Sequence, residues 1–446
     1  MSRIARRLQS LLREQWLAWN RVLTCRVLGR KLLRRRRGLS YAPEPGSILY
    51  VAASSLPYHT SGYTTRTHEV ICALRSAGLT VHVLTRPGYP WDRKDRDCDA
   101  DGEETVVGDV TYRHVRKPSN TRPALQYAVQ AAPVVARAAA RHRVSVIHAA
   151  SNHINALPAL LAARQLGIPF HYEMRGLWEL TRASRMPEYE GSQAFRQGID
   201  LEGLVARQAD RLFVISEQLG NYARENWEVP AERIALLPNC VDPLRILAAD
   251  PRFVEPNTIG YAGSLISYEG LDTLLDAVQL LVRGGSDVRV NIVGDGEARA
   301  QLEAQVLSLG LSDRIRFLGK VPPDSARKIL GRCALVCIPR KPFRVCEIVP
   351  PIKLVEALAM AKPVVVADLP VFRDELGENP AGWFFRAGDA ADLARVLGIA
   401  LADGEVLAAV GTRAREYAAT KRSWQDFVRN VLSAVSDEES IGRQGH

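Results

Sequence analysis

The feature that most restricts the fold of these 446 residues is an alternation that runs through the chain twice. Short, unbroken apolar runs rich in β-branched residues alternate with longer stretches of helical spacing. ILYVAAS (48–54), VHVLTR (81–86), VSVIHAAS (144–151), PFHYEMR (169–175), RLFVIS (211–216) and IALLPN (234–239) make the first set. TIGYAGS (258–264), VRVNIVGDG (288–296), RIRFLGK (314–320), ALVCIPR (334–340) and PVVVAD (363–368) make the second. Strands that are apolar along their whole length are buried on both faces, which predicts parallel sheets covered by helices above and below. The length exceeds what one core supports. The expectation is α/β, with two doubly wound Rossmann-like domains at 46–240 and 258–420 and a Pro-rich linker at 241–257. The end of the chain, 421–446, is read as a last helix, roughly 421–436, and a tail, with no strand after it. Two such domains are expected to face a cleft, with ligands just past the strand C-terminal ends.

Charge separates a third segment. Residues 1–40 hold twelve Arg or Lys and one acid, Glu14, while the remainder carries 47 basic and 48 acidic residues. The whole excess is therefore an N-terminal arm (1–45), which argues against a nucleic-acid-binding core. Within it Ile4, Leu8, Leu11, Leu12, Trp16, Trp19, Leu23, Val27 and Leu28 recur at helical spacing, and RKLLRRRR closes it. A basic amphipathic helix with tryptophans suits an anionic membrane surface. A disordered tail, or a helix packed on the protein's own body, is the alternative. No apolar run is long enough to span a bilayer, and no h-region with a cleavage site follows the basic start. The seven scattered cysteines read as thiols of a reducing cytoplasm. The expected place is cytoplasmic, peripheral on the inner membrane face.

The densest chemistry lies in EIVPPIKLVEALAMAKPVVVAD (347–368), a Pro-ended loop, an apolar helix and a buried strand. Lys353 falls in the first helical turn, where the macrodipole disfavours a cation. A bound anion reverses that penalty. Glu356, one turn on, is placed to accept hydrogen bonds from ribose hydroxyls. Arg340, Lys341 and Arg344 stand in the preceding loop. Such a cluster predicts a nucleotide-diphosphate site, with a solvated loop as the alternative. YAGSLISYEGLD (261–272) places Gly263 in a turn before a helix, where a diphosphate can reach backbone N–H groups. IVGDGEAR (292–299) is not a dinucleotide fingerprint, because Arg299 stands where Gly or Ala is required. Gly294 and Gly296 make its turn and Asp295 caps it. Glu173 and Arg175 end a strand two residues apart, hence on one face. They are expected to face the cleft, with a structural salt bridge as the alternative. Asp97, Asp99 and Asp101 begin like a calcium loop, but Gly108 occupies the position of its bidentate Glu, so this is read as an acidic surface loop and no metal site is expected.

Taken in order, these stretches resemble the family-4 retaining glycosyltransferases of the GT-B fold, over roughly residues 46–436. HTSGYTTRTHEVICALRSAG, with Gly62, resembles the family's first Gly-containing loop and helix. RLFVISEQL and LPNCVD resemble its strand and its P-N-G-V-D turn, with Cys240 in place of Gly. GYAGSLISYEGLD, IVGDGEARAQL and RIRFLGKVP follow as in its second domain, and the helix with Trp424 resembles the one that crosses back. The chain also departs from the pattern. The family's diphosphate-gripping Arg and Lys fall at Ser264 and Glu269. The first of its two spaced glutamates falls at Ile348, with Glu347 shifted by one. PIKLVE matches the P-x-K-x-x-E of some branches, and the His of many members falls at Arg175. This is the pattern of a divergent branch.

The resemblance implies transfer of a sugar from a nucleotide diphosphate sugar to a glycan acceptor with the configuration kept and no obligatory metal. Lys353 and Arg344 would neutralise the phosphates beside the backbone of Gly263 and Ser264. Glu356 would hold the ribose and Glu347 the sugar hydroxyls. Gly62, Glu269, Gly294 and Asp295 complete the donor side, while Glu173 and Arg175 would meet donor sugar and acceptor. A lipid-linked acceptor suits the arm. A nucleotide-sugar epimerase or phosphorylase on the same fold remains an alternative. So does a non-catalytic membrane-associated subunit, which the residues at 264 and 269 keep open.

Overall fold

The computed structural model describes residues 3–33, 41–99, 102–243, 245–377 and 381–444. The Arg34–Arg37 run and Asp101 lie outside them. The chain divides into two compact units, one of Met1–Leu237 with Gln425–His446, the other of Pro238–Trp424. Each is a doubly wound α/β unit.

The first unit has eight strands: β1 (Glu44–Ala52), β2 (Thr80–Thr85), β3 (Glu104–Val107), β4 (Val110–Arg113), β5 (Val144–Ala150), β6 (Phe170–Met174), β7 (Arg211–Val214) and β8 (Ile234–Leu236). They lie in the order β3-β4-β2-β1-β5-β6-β7-β8, all parallel except β3 on β4. The second unit has β9 (Glu255–Ala262), β10 (Arg289–Val293), β11 (Ile315–Phe317), β12 (Cys333–Ile338), β13 (Val364–Ala367) and β14 (Gly382–Phe385). Their order is β11-β10-β9-β12-β13-β14, parallel throughout. The apolar runs explain this directly. Every residue of β5, β12 and β13 is buried, as strands covered on both faces must be. In each sheet the chain reverses direction of winding at one place, between β1 and β5 and between β9 and β12. Ligands of open α/β sheets bind at such switch points, past the strand C-termini.

Strands β3, β4 and β14 were not foreseen. Each has four residues, and Val106 of the outermost hairpin is 66% exposed, so the apolar signal of a central strand is missing there.

The arm is a helix, Arg3–Leu33. Leu28, Leu32 and Thr24 are buried, and the Arg21 guanidinium donates to Asp200 of the helix Gln193–Gln208 at 2.7 Å. Trp16 and Trp19 are nonetheless 61% and 66% exposed. The helix therefore packs on the body through one face and keeps an apolar stripe in solvent through another. No helix among the described residues is long and apolar enough to cross a membrane.

His114, fully buried after β4, lies 2.8 Å from Thr85 Oγ1 and 3.0 Å from Thr105 Oγ1. Burial pushes its imidazolium down from 6.5 to about 4. The unfolded chain takes this proton below 6.5, and the folded chain refuses it until about 4. Stability is thus full above the upper value and falls through that window, by about 3 kcal/mol from this group. His114→Phe should show a shallower loss of thermal stability over the same pH range than wild type; equal slopes would sink the assignment.

Candidate active site

At the switch point of the second unit, the turns after β9 and β10 press backbone against backbone. A Cβ on Gly294 (φ +130°) would lie 1.9 Å from the Gly263 carbonyl oxygen, and one on Gly296 2.4 Å from that of Leu265. Only glycine permits this approach. Asp295 Oδ1 accepts from the Gly296 N–H at 2.8 Å, the turn cap the sequence suggested, while its side chain is exposed. Gly270 (φ +72°) then starts the helix Leu271–Arg283 in contact with the Pro339 carbonyl past β12.

Between these turns lies a buried charge cluster. Glu269 is 4% exposed and accepts from two cations, Arg340 Nη2 at 2.9 Å and Lys353 Nζ at 2.8 Å. Lys353 also donates to the Tyr261 hydroxyl at 2.7 Å and stands 4.1 Å from that ring's centroid. The Tyr261 hydroxyl in turn donates to the Ser264 carbonyl at 3.0 Å. Arg340 donates to the Val349 carbonyl at 2.8 Å. Burial works against the Glu269 charge, but Arg340 and Lys353 overcome it and hold the carboxyl at about 2. Burial lowers Lys353, which Glu269 only partly offsets. Among the groups in hydrogen-bond contact, two cations share one carboxylate. An ammonium has three N–H donors, and these contacts use two.

This cluster revises the expected one. The anion beside Lys353 in the first turn of the helix Ile352–Ala359 is the chain's own Glu269, not a ligand alone. Glu269, expected on the donor side, is here the partner of Arg340 and Lys353. Lys341 points elsewhere, pairing with Asp272 at 2.5 Å. Residues 344–348 form a short helix, not a loop: Arg344 at its start is exposed, and Glu347 is half-buried. Glu356 is half-buried and near enough to Lys353 to favour its charge. Ser264 is exposed on the turn.

The first unit corrects the sequence on Glu173 and Arg175. Glu173 is 1% exposed, and its oxygens are taken by Arg66, Arg175 and Tyr50, with His148 Nε2 at 3.3 Å. Against the upward push of burial, Arg175 and Arg66 hold it well below the usual carboxylate range. Arg175 is buried too, reaching Tyr63 O at 3.1 Å and Thr67 Oγ1 at 2.7 Å. The pair shares a face, as spacing required, but it faces the interior: the structural ion pair is what forms. Arg66 was missed. It sits four and eight residues before Val70 and Leu74, on the buried stripe of the helix Gly62–Ser76, and a charge on that stripe was the available signal. Gly62 is the exposed first residue of this helix, whose N-cap is Ser61.

The switch point of the first unit opens into a cavity of about 560 Å³, past β1 at Ala53 and Ser54 and past β5 at Ser151 and Asn152. His153, Glu179, Tyr189 and the 62% exposed Trp178 also line it. No sequence motif had pointed to Glu179 or His153.

Comparison with known proteins bears on both units. A family model described as a glycosyl transferase 4-like domain matches residues 61–240, and one described as glycosyl transferases group 1 matches 246–417. A phosphatidyl-myo-inositol mannosyltransferase of Mycobacterium leprae is 35% identical over 174 residues, 39% of this chain and 44% of that protein. The first curated relatives are thus matched over less than half of their own length. Sucrose-phosphate synthase of Thermosynechococcus elongatus superposes with a TM-score of 0.70 at 16% identity, over 89% of this chain and 98% of that one. Anabaena HepE, solved with UDP and glucose, superposes with a TM-score of 0.65 at 19% identity, over 88% and 99%. These likenesses establish the fold as that of the GT-B glycosyltransferases.

Proposed function

We propose that this chain, whose two halves belong to the glycosyl transferase 4-like and group 1 domain families, moves a sugar from a nucleotide diphosphate sugar to a glycan or lipid-linked acceptor, keeping the anomeric configuration. The observation that carries the reading is the second cation on Glu269. Arg340 already pairs with that carboxylate, so the Lys353 ammonium, partly exposed beside Gly263 and with Glu356 near enough to favour its charge, is a second cation at the β9 and β12 ends. A departing diphosphate is the anion such a place serves. Charge develops on it as the glycosidic bond breaks, and fixed donors in a water-poor site stabilise that charge most. In this reading Arg344 reaches the phosphates from the surface, Glu356 the ribose and Glu347 the sugar hydroxyls. Because the chain brings its own cations, no metal is required. HepE in complex with UDP supports a nucleotide donor, and the relative named for phosphatidyl-myo-inositol supports a lipid acceptor.

Calorimetric titration with UDP, GDP and ADP, in EDTA, tests the donor. One nucleotide should bind in preference to the others; heat from none of them sinks the proposal. Retention is read from the anomeric proton coupling of the product, and an inverted product removes that part.

The arm carries the membrane part of the reading. Exposed Trp16 and Trp19 accompany exposed Arg26, Arg30 and Lys31. Joint Trp16→Ser and Trp19→Ser substitution should weaken sedimentation with vesicles of anionic lipid by on the order of tenfold or more. Unchanged sedimentation would show that the helix does not touch the bilayer.

A further inference from the structure

The arm helix has three faces, and the third leads to the cavity of the first unit. Leu28 and Leu32 lie on the face packed against the body. Leu12, Trp16, Trp19 and Leu23 form the exposed apolar stripe. Asn20, Thr24, Val27 and Lys31 form a stripe between these two, about 80° round the helix from the tryptophans. This middle stripe is one wall of a groove of about 430 Å³. Pro123, Leu125 and Val129, from the start of the helix Ala124–Arg141, help to form the other wall. Most of the groove's open surface is carbon. Ala124 and Gln197 line both the groove and the 560 Å³ cavity, so the two spaces adjoin.

The far end of this path is polar. Glu179 is 7% exposed, and its Oε2 has no hydrogen-bond partner among the described residues. A buried acceptor left unpaired is costly, so a hydroxyl that reaches it is held firmly. Beside it, His153 Nδ1 is held by Glu202 at 3.1 Å, and Glu202 also accepts from Tyr172. Trp178 and Tyr189 supply aromatic wall.

We infer that the groove and the cavity together bind one amphiphilic acceptor, its hydrocarbon chain along the groove and its sugar hydroxyls at Glu179. This rests on the transferase reading for the word acceptor, and it names that acceptor's class: a glycan carried on a membrane lipid. The layout gives such a molecule a route. The tryptophan stripe puts the helix at the bilayer surface, and the adjoining stripe of the same helix receives the chain as it leaves the lipid.

The test uses the full chain and hexyl, octyl and decyl β-D-glucosides, each below its micelle concentration, with binding read by calorimetry. Nucleotide binding is read in the same samples. Wild type should bind about fourfold more tightly for each methylene added. Val129→Trp, at an exposed position, fills the groove and should flatten that dependence. Glu179→Gln should weaken all three glucosides by one common factor and leave the dependence on chain length intact. Affinity independent of chain length in wild type overturns the inference, and so does an equally steep dependence in Val129→Trp. If the glucosides behave as expected and no nucleotide binds, the groove stands and the transferase reading falls. If nucleotide binds and no glucoside does, the transferase reading stands and the groove assignment falls.

Discussion

Lys353→Ala should lower nucleoside diphosphate affinity by about a hundredfold, the loss of one charge-assisted contact of ~3 kcal/mol. Turnover should fall at least as far, because the same charge meets the leaving group as it forms. Stability should change little by comparison. Without Lys353, Glu269 still has Arg340 at 2.9 Å, a one-to-one buried pair. The variant thus separates two roles. If Lys353 is a counter-ion for Glu269 and nothing more, nucleotide binding survives its removal. If it is a second cation awaiting a diphosphate, binding is lost while the melting curve stays near wild type. Gly263→Ala approaches the same point from the backbone. A Cβ there would lie 2.5 Å from Lys353 Nζ at a φ of +150°, so the ammonium must move and donor affinity should fall with it. Glu269→Gln is the contrasting case. It takes the carboxylate from both Arg340, which is buried, and Lys353, and the expected loss appears first in stability.

The parts of this structure legible in the sequence are those whose cause is local. A strand covered on both faces needs an unbroken apolar run, and such runs announced both sheets. Lys353 was legible because a cation in the first turn of an apolar helix is out of place unless something anionic meets it. What met it was hidden, since Glu269 lies 84 residues away and only the fold brings the two together. The same holds for Arg66 and Glu173, 107 residues apart. Glu173 and Arg175 were expected to face the cleft, with a structural salt bridge as the alternative, because charges at a strand's end usually do. That inference fails when a helix elsewhere delivers a guanidinium to the same spot. The strands β3, β4 and β14 were illegible for another reason: they stand at or next to the edges of their sheets, only partly buried, where pairing with the sheet already present makes them strands.

Glu173→Ala should destabilise the first unit by about 3–5 kcal/mol, the cost of stranding buried charges by deleting their partner. Arg66 is 2% exposed and Arg175 7%, so neither guanidinium reaches water when the carboxylate goes. Arg66 keeps its contact to the Leu237 carbonyl at 2.6 Å, and Arg175 keeps Thr67 and Tyr63. Neutral oxygens satisfy N–H groups but do not balance two positive charges in a low dielectric. Glu173→Gln preserves shape and still removes the charge, so it should cost nearly as much. This argues that the expense is electrostatic and not a cavity. Glu173 also ties β6 to β1 through Tyr50 and to β5 through His148. Its loss therefore loosens the sheet ends that frame the 560 Å³ cavity. In urea unfolding the transition of the first unit should move to lower denaturant while nucleotide binding, which the proposal assigns to the second, persists at low urea. If instead Glu173→Gln melts like wild type and loses only turnover, Glu173 touches substrate after all, and the buried network is not its purpose.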